Sequence, residues 1–219
     1  PVVGGNVSLY NESPAGVVDP TPTVAMVGLI EKEEHVTTQF FKSRGDVIIL
    51  VGEIGDELGA SRFLKVCHGR KEGLPPRLDV EHEMAVQNAV RDLIHAGLVR
   101  SAHDCSEGGL AVALAESCFN PDGILGAKIQ VVDTAHGAPA TALFNESQSR
   151  IVISCTPHDA GKVLATLRTK NVPHQKIGEV AGDSLSINEF SWSIAEIYDD
   201  WFNAIRRAVE SDAEPVRSL

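Results

Sequence analysis

The chain has 219 residues and a mass of 23.4 kDa, enough for one full hydrophobic core or one domain with part of another, and too little for more than two domains. Hydrophobic residues make up 43% and charged residues 22%, which excludes a disordered or fibrous protein. With 30 Asp and Glu against 19 Lys and Arg the net charge is -11, which disfavours unspecific binding to nucleic acid or an anionic membrane surface.

The chain opens Pro1-Val2-Val3, without Met and without a charged-then-apolar leader, so a fragment or processed piece is expected. Residues 2–10 and 23–30 read as two extended segments joined by a Pro- and Gly-containing loop, a hairpin-like remnant. A charged stretch over 31–46 changes the composition and marks a domain boundary near 31–36. Val47 to Val51 predicts a strand, residues 52–59 a turn and 60–68 a helix. After the breaker Gly73-Leu74-Pro75-Pro76, the stripe Val86, Val90 and Leu93 predicts an amphipathic helix over 79–96, with Asp79 as N-cap and Gly97 closing it. A strand over 99–103, a turn over 104–109 and a small-residue helix over 110–119 follow. Strands are predicted at 127–132, 150–155, 175–180 and 185–188, helices at 159–169 and 195–209, and a frayed tail from 211. The longest apolar stretches, 24–30 and 110–115, fall far short of the roughly 20 residues that span a bilayer. Interleaved strands and helices imply an α/β or α+β domain in which helices cover a mixed sheet.

Cys67, Cys105, Cys118 and Cys155 lack the paired spacing of a zinc site, and free thiols in a reducing cytoplasm are expected. No His pair has the i, i+4 spacing of a zinc helix. Cys105 sits in a Gly-rich motif, but no base that would activate it is evident. Two segments carry candidate chemistry. In Gly4-Gly5-Asn6-Val7-Ser8-Leu9-Tyr10 the alternation of an extended chain sends Asn6 and Ser8 to one face and Val7 and Leu9 to the other. The glycines admit a phosphate or sugar to the backbone, and an Asn carbonyl is a hard oxygen suited to Mg²⁺. The same residues also fit a plain Gly-Asn turn entering an edge strand. In Ser101-Ala102-His103-Asp104-Cys105-Ser106-Glu107-Gly108-Gly109-Leu110 a strand enters a Gly-Gly turn and a helix, leaving unpaired amides that suit an anion. Asp104 and Ser106 are equally ordinary N-caps, and Gly108 and Gly109 serve close packing just as well. Glu146 and Arg150, in Phe144-Asn145-Glu146-Ser147-Gln148-Ser149-Arg150, read as a polar turn before a strand, with Arg150 free to pair with Glu146 or with an anion.

Gly5-Asn6-Val7-Ser8-Leu9-Tyr10-Asn11-Glu12, Pro20-Thr21-Pro22-Thr23 and Val27-Gly28-Leu29-Ile30 resemble a signature of the synthetase subunits of phosphoribosylformylglycinamidine synthases. The segments Gly55-Asp56-Glu57-Leu58-Gly59, His103 to Glu116 and Asn145 to Val152 are similar to the same family in the same order, and the match covers about residues 1–190. Gly4 departs from it, since the family more often has Ser there. The resemblance implies two tandem copies of the aminoimidazole ribonucleotide synthetase architecture. It places 1–33 at the end of the second N-terminal-like, ATP-binding domain, 34–210 as the second C-terminal-like α+β domain and 211–219 as a tail.

It further implies a cytoplasmic ligase of purine synthesis. ATP phosphorylates the formamide oxygen of formylglycinamide ribonucleotide, and ammonia delivered by a glutaminase subunit displaces phosphate, with a small third subunit in the assembly and Mg²⁺ neutralising charge. On this resemblance Gly5 contacts ATP, Asn6 ligates Mg²⁺ and Ser8 contacts the substrate. The remaining catalytic and metal groups belong to a missing N-terminal half, so no catalytic residue is assigned in this chain. Asp104, Ser106, Gly108 and Gly109 form a candidate phosphate loop whose role in a second repeat can have decayed. Selenophosphate synthetases, thiamine-monophosphate kinases and hydrogenase-maturation proteins share the architecture, but the Gly-Asn-Val-Ser and Glu-Ser-Gln-Ser-Arg segments argue against them. A non-catalytic scaffold half is the other reading.

Overall fold

Val47–Val51 carries five consecutive apolar side chains, all buried, an arrangement stable only where both faces of a strand are covered. In the computed structural model, which describes residues 1–7, 12–14, 16–17, 21–131 and 139–212, this strand lies inside a seven-stranded sheet with apolar clusters on both sides. The chain divides into two compact units, Pro1–Val36 and Thr37–Leu219.

In the first unit β1 (Val2–Asn6) begins the chain, and β2 (Glu12–Ser13) pairs with β3 (Gly16–Val17). β1 pairs antiparallel with β4 (Thr23–Met26), with a register shift between Val2 and Gly4. A 3-10 turn follows at Glu33–His35. The second extended segment is therefore shorter than the 23–30 predicted from its apolar run.

The second unit runs β5 (Val47–Val51), α1 (Arg62–His68), α2 (Val80–His95), β6 (Ser101–Asp104), α3 (Gly109–Cys118), β7 (Ala127–Ile129), α4 (Pro139–Phe144), β8 (Ile151–Cys155) and α5 (Ala160–Thr169). It ends with β9 (His174–Val180), β10 (Ser184–Ile187), β11 (Phe190–Ser193), α6 (Ile194–Phe202) and α7 (Ala204–Asp212). The strand order is β11-β10-β7-β9-β5-β8-β6, and all neighbours are antiparallel except β7 and β10. This is the mixed α+β sheet that the sequence implied.

Alternation along β5 separates two cores. Ile48 and Leu50 belong with Leu110 and Leu114 of α3 and Ile194 of α6, whereas Val47, Ile49 and Val51 belong with Val86, Val90 and Leu93 of α2 and Val163 and Leu167 of α5. α2 has the predicted stripe, with Ala89 added, and its N-cap is Asp79, whose carboxylate accepts from the His82 amide at 3.0 Å. Gly97 follows it at φ 67. The single helix predicted over 195–209 is broken at Asn203, where φ -95 and ψ 4 end α6 before α7 starts. β11 and α4 were not foreseen. Of the predicted tail, 211–212 complete α7 and the remainder lies outside the described residues.

Candidate functional site

Two loops, 104–109 and 145–150, meet at one end of the sheet. β6 and β8 are paired through Asp104 and Ile151, and the Cys105 amide donates to the Arg150 carbonyl at 2.9 Å, which carries the pairing into the loops. α3 starts at Gly108, its N-cap, in the left-handed region at φ 81, with no side chain of the loop capping it. The Gly109 amide donates to the Ser106 carbonyl at 3.0 Å. A Cβ on Gly109 would lie 2.3 Å from the Asn145 carbonyl oxygen, so this turn must be glycine for the loops to touch.

Glu146 holds the amide that a phosphate would need. Its Oε1 accepts from Gly108 N at 2.8 Å and from Arg62 N, the first residue of α1, at 2.9 Å. A carboxylate thus sits where the partial positive charge of the α3 N-terminus is greatest. Asp104 and Ser106 do not cap the helix. The Ser106 hydroxyl instead donates to the Asp104 carboxylate, and Asp104 also lies 3.5 Å from His103 Nδ1. Those two neighbours, His103 first, hold the Asp104 carboxyl well below the usual carboxylate range.

Arg150 does not pair with Glu146, and its Nη1 is buried without a protein partner. The residue is 2% exposed, and its guanidinium donates from Nε to the Ser147 carbonyl at 3.0 Å and from Nη2 to the Asn145 carbonyl at 2.7 Å. It pins the 145–150 turn from within, and burial lowers its pKa. Burial also pushes the Cys105 thiol up to about 11, which leaves it unsuited to act as a nucleophile at neutral pH.

Gln148 and Ser149 form a ridge between two polar clefts. One, of about 270 Å³, is lined by Glu83, Gln87, Asp104, Ser106, Arg150 and the ridge; the other, of about 160 Å³, by Glu53, Glu57, Arg77, Asp79, His82 and the ridge. The Ser149 hydroxyl donates to Glu83 at 2.6 Å, and that of Ser147 to Glu57 at 3.0 Å. Each lining sets carboxylates beside one arginine, Arg150 in the first cleft and Arg77 in the second.

In the first unit Gly5 pairs with Val24 and Asn6 with Thr23 at the end of the exposed β1–β4 ribbon. A Cβ on Gly5 would approach the Thr23 carbonyl oxygen to 2.2 Å, so strand pairing alone already demands glycine there. Ser8 lies outside the described residues. Among the described residues no three His, Cys, Asp or Glu side chains converge as a metal centre, and no helix is long and apolar enough to cross a membrane. Asn6 fits Mg²⁺ as one hard oxygen donor but is not a coordination sphere by itself.

The sequence profile of the family "AIR synthase related protein, C-terminal domain" matches residues 43–188. The chain belongs to this family. Its AIR synthase related domain has curated relatives in the phosphoribosylformylglycinamidine synthase subunit PurL of Moorella thermoacetica, 44% identical over 210 residues, and of Anaeromyxobacter sp. strain Fw109-5, 42% identical over 219. The alignments cover 94% and 97% of this chain but 28% and 29% of those proteins, so the chain spans under a third of the length of its relatives. Among solved structures, Thermotoga maritima PurL complexed with FGAR aligns with a TM-score of 0.64 at 19% identity, over 80% of this chain and 30% of that one. PurLQS from the same organism aligns at 0.56 and 18%, over 79% of this chain and 28% of that one. At such identities these structures speak for the AIR synthase related fold alone.

Sequence reasoning read Glu146 as part of a polar turn and gave no role to Glu57, Arg62 or Glu116. The donors to Glu146 lie 84 and 38 residues away, beyond any local spacing rule. The signal within reach was the pairing of a Gly-Gly turn in one segment with an acidic turn in the other.

Proposed function

We propose that this chain is the C-terminal part of a synthetase subunit of phosphoribosylformylglycinamidine synthase, a carbon-nitrogen ligase with glutamine as amido donor. The observation that carries this reading is 44% identity over 94% of the chain to a PurL subunit. Residues 1–33 are then the end of the second ATP-binding domain, 34–210 the second C-terminal-like domain and 211–219 a tail. The complete enzyme works in the cytoplasm. It transfers the γ-phosphoryl group of ATP to the formamide oxygen of formylglycinamide ribonucleotide, releasing ADP. Ammonia from a glutaminase subunit adds at that carbon, and phosphate leaves with the oxygen to give the amidine. A small third subunit completes the assembly. Mg²⁺, when bound, neutralises phosphate charge. This chain's own contribution is backbone access at Gly5, one oxygen ligand from Asn6 and a substrate contact from Ser8, while the acid-base groups lie in the missing N-terminal half.

The second unit has its own reading. Glu146 on the Gly108 amide favours a buttress over a second phosphate site, so Asp104, Ser106, Gly108 and Gly109 act as structural parts of the loop.

The test is steady-state kinetics of the complete subunit with ammonium, ATP and formylglycinamide ribonucleotide. Asn6→Ala removes one ligand from a metal that requires near-octahedral geometry, so turnover falls and excess Mg²⁺ partly restores it. Ser8→Ala acts mainly on the apparent affinity for the ribonucleotide, by about 0.5 to 1.5 kcal/mol for one hydrogen bond. Wild-type rates and Mg²⁺ dependence in Asn6→Ala would leave the scaffold reading for the whole chain.

A further inference from the structure

His103 stands between two carboxylates. Its Nε2 is 2.9 Å from Glu116 Oε2 on α3, and its Nδ1 is 3.5 Å from Asp104 Oδ1 at the start of the 104–109 loop. The chain of contacts continues at both ends. Glu116 Oε1 accepts from the Trp201 indole of α6 at 3.1 Å, and Asp104 accepts from the Ser106 hydroxyl. Five side chains therefore link the loop, β6, α3 and α6. We propose that His103 is a one-sided proton latch on the 104–109 loop: doubly protonated, its ring ties Asp104 to Glu116, and singly protonated it keeps Glu116 and lets Asp104 go.

The argument starts from the number of donors. An imidazolium offers two N–H groups and a neutral imidazole one, so loss of a proton must leave one carboxylate without its partner. Which one is set by exposure. The Glu116 side chain is 25% exposed and already fixed by Trp201, whereas that of Asp104 is 69% exposed and can turn to water. Leaving the more buried carboxylate unpaired costs more, so the remaining proton stays on Nε2.

The charged neighbours of the latch are few among the described residues: Glu83 and Arg150 line the cleft that Asp104 faces, and Lys42 lies along the β6 edge. β8 sets Val152 opposite His103 and Ile151 opposite Asp104, and α6 contributes the neutral Trp201. Along the outer edge of β6, where Thr38 accepts from the Ala102 amide, the Lys42 ammonium is bonded to the Thr38 hydroxyl. The Cys105 thiol stays neutral.

Burial by itself lowers the His103 pKa, but hydrogen bonding and charge attraction to Asp104 and Glu116 together outweigh it and the net shift is upward from 6.5. The contribution of the closed latch is fully present below pH 6.5 and is lost as pH rises through the folded-state midpoint. The inference is independent of the catalytic reading, since no substrate enters it.

The experiment follows the 219-residue chain by histidine-ring NMR and by hydrogen exchange, corrected for intrinsic rates, between about pH 5.5 and 8.5. The His103 ring should titrate above 6.5, and across that midpoint the Cys105 and Gly108 amides should lose protection by about tenfold or more, while the Trp201 indole N–H stays protected. In Asp104→Asn, an exposed change that spares the core, the ring midpoint should fall and loop protection should no longer depend on pH. Loop protection that stays flat through the ring titration, release of Trp201 in place of the loop, or an unchanged pH step in Asp104→Asn would overturn the latch.

Discussion

A single oxygen of Glu146 accepts the first amide of α1 and the N-cap amide of α3, so two helices that are remote in sequence begin on one charge. On the buttress reading proposed above, the glycines below it are packing residues. Gly109→Ala places a methyl against the Asn145 carbonyl in a backbone region, φ 65, that alanine avoids. Its expected cost is about 1 to 3 kcal/mol, read from the denaturant midpoint at unchanged m-value. Loss of phosphate binding at unaltered stability would return the loop to the ligand sites. Before the structure, the Gly-Gly turn was legible as a strand-to-helix junction. Its occupant was not, because a contact such as that between Gly108 and Glu146 is settled by tertiary packing and leaves no periodic trace.

Elements whose pattern repeats were readable. β5 announces itself by an unbroken apolar run, and α2 by a stripe at three and four residues together with the Asp79 cap. β11 escaped because four residues, Phe190 to Ser193, leave too short an alternation, and its turn uses Asn188 at φ 52 in place of glycine. The break at Asn203 escaped for another reason: the 3.6-residue apolar period passes through it and no Pro or Gly marks the place. The double-sided burial of β5 sets the size of a core defect there. Leu50→Ala, at 0% exposure, should cost about 2 to 5 kcal/mol, whereas Leu78→Ala, 54% exposed, should stay within about 0.5 kcal/mol by the same denaturant measurement. Equal effects of the two would mean that β5 does not organise the core.

At the scale of the molecule the two compact units differ in self-sufficiency. The first holds two two-stranded ribbons and leaves Val2, Val24 and Met26 exposed, a structure marginal in water by itself, while the second buries both faces of its central strand. Deleting residues 1–36 should therefore leave a single cooperative thermal transition, with coincident loss of near- and far-UV circular dichroism. A broad or probe-dependent transition would place structural support for the second unit in the first.

The strand order also governs how the chain comes off the ribosome. β5 is the first strand of its sheet to be made, yet Val47 finds its neighbours in Cys155 and Glu179. Until those segments leave the exit tunnel, the most apolar strand of the protein has both edges open, and closing loops of that length is slow. Synthesis from β5 to β9 thus holds an aggregation-prone edge exposed, and the nascent chain is a natural client for a holding chaperone until β9 arrives.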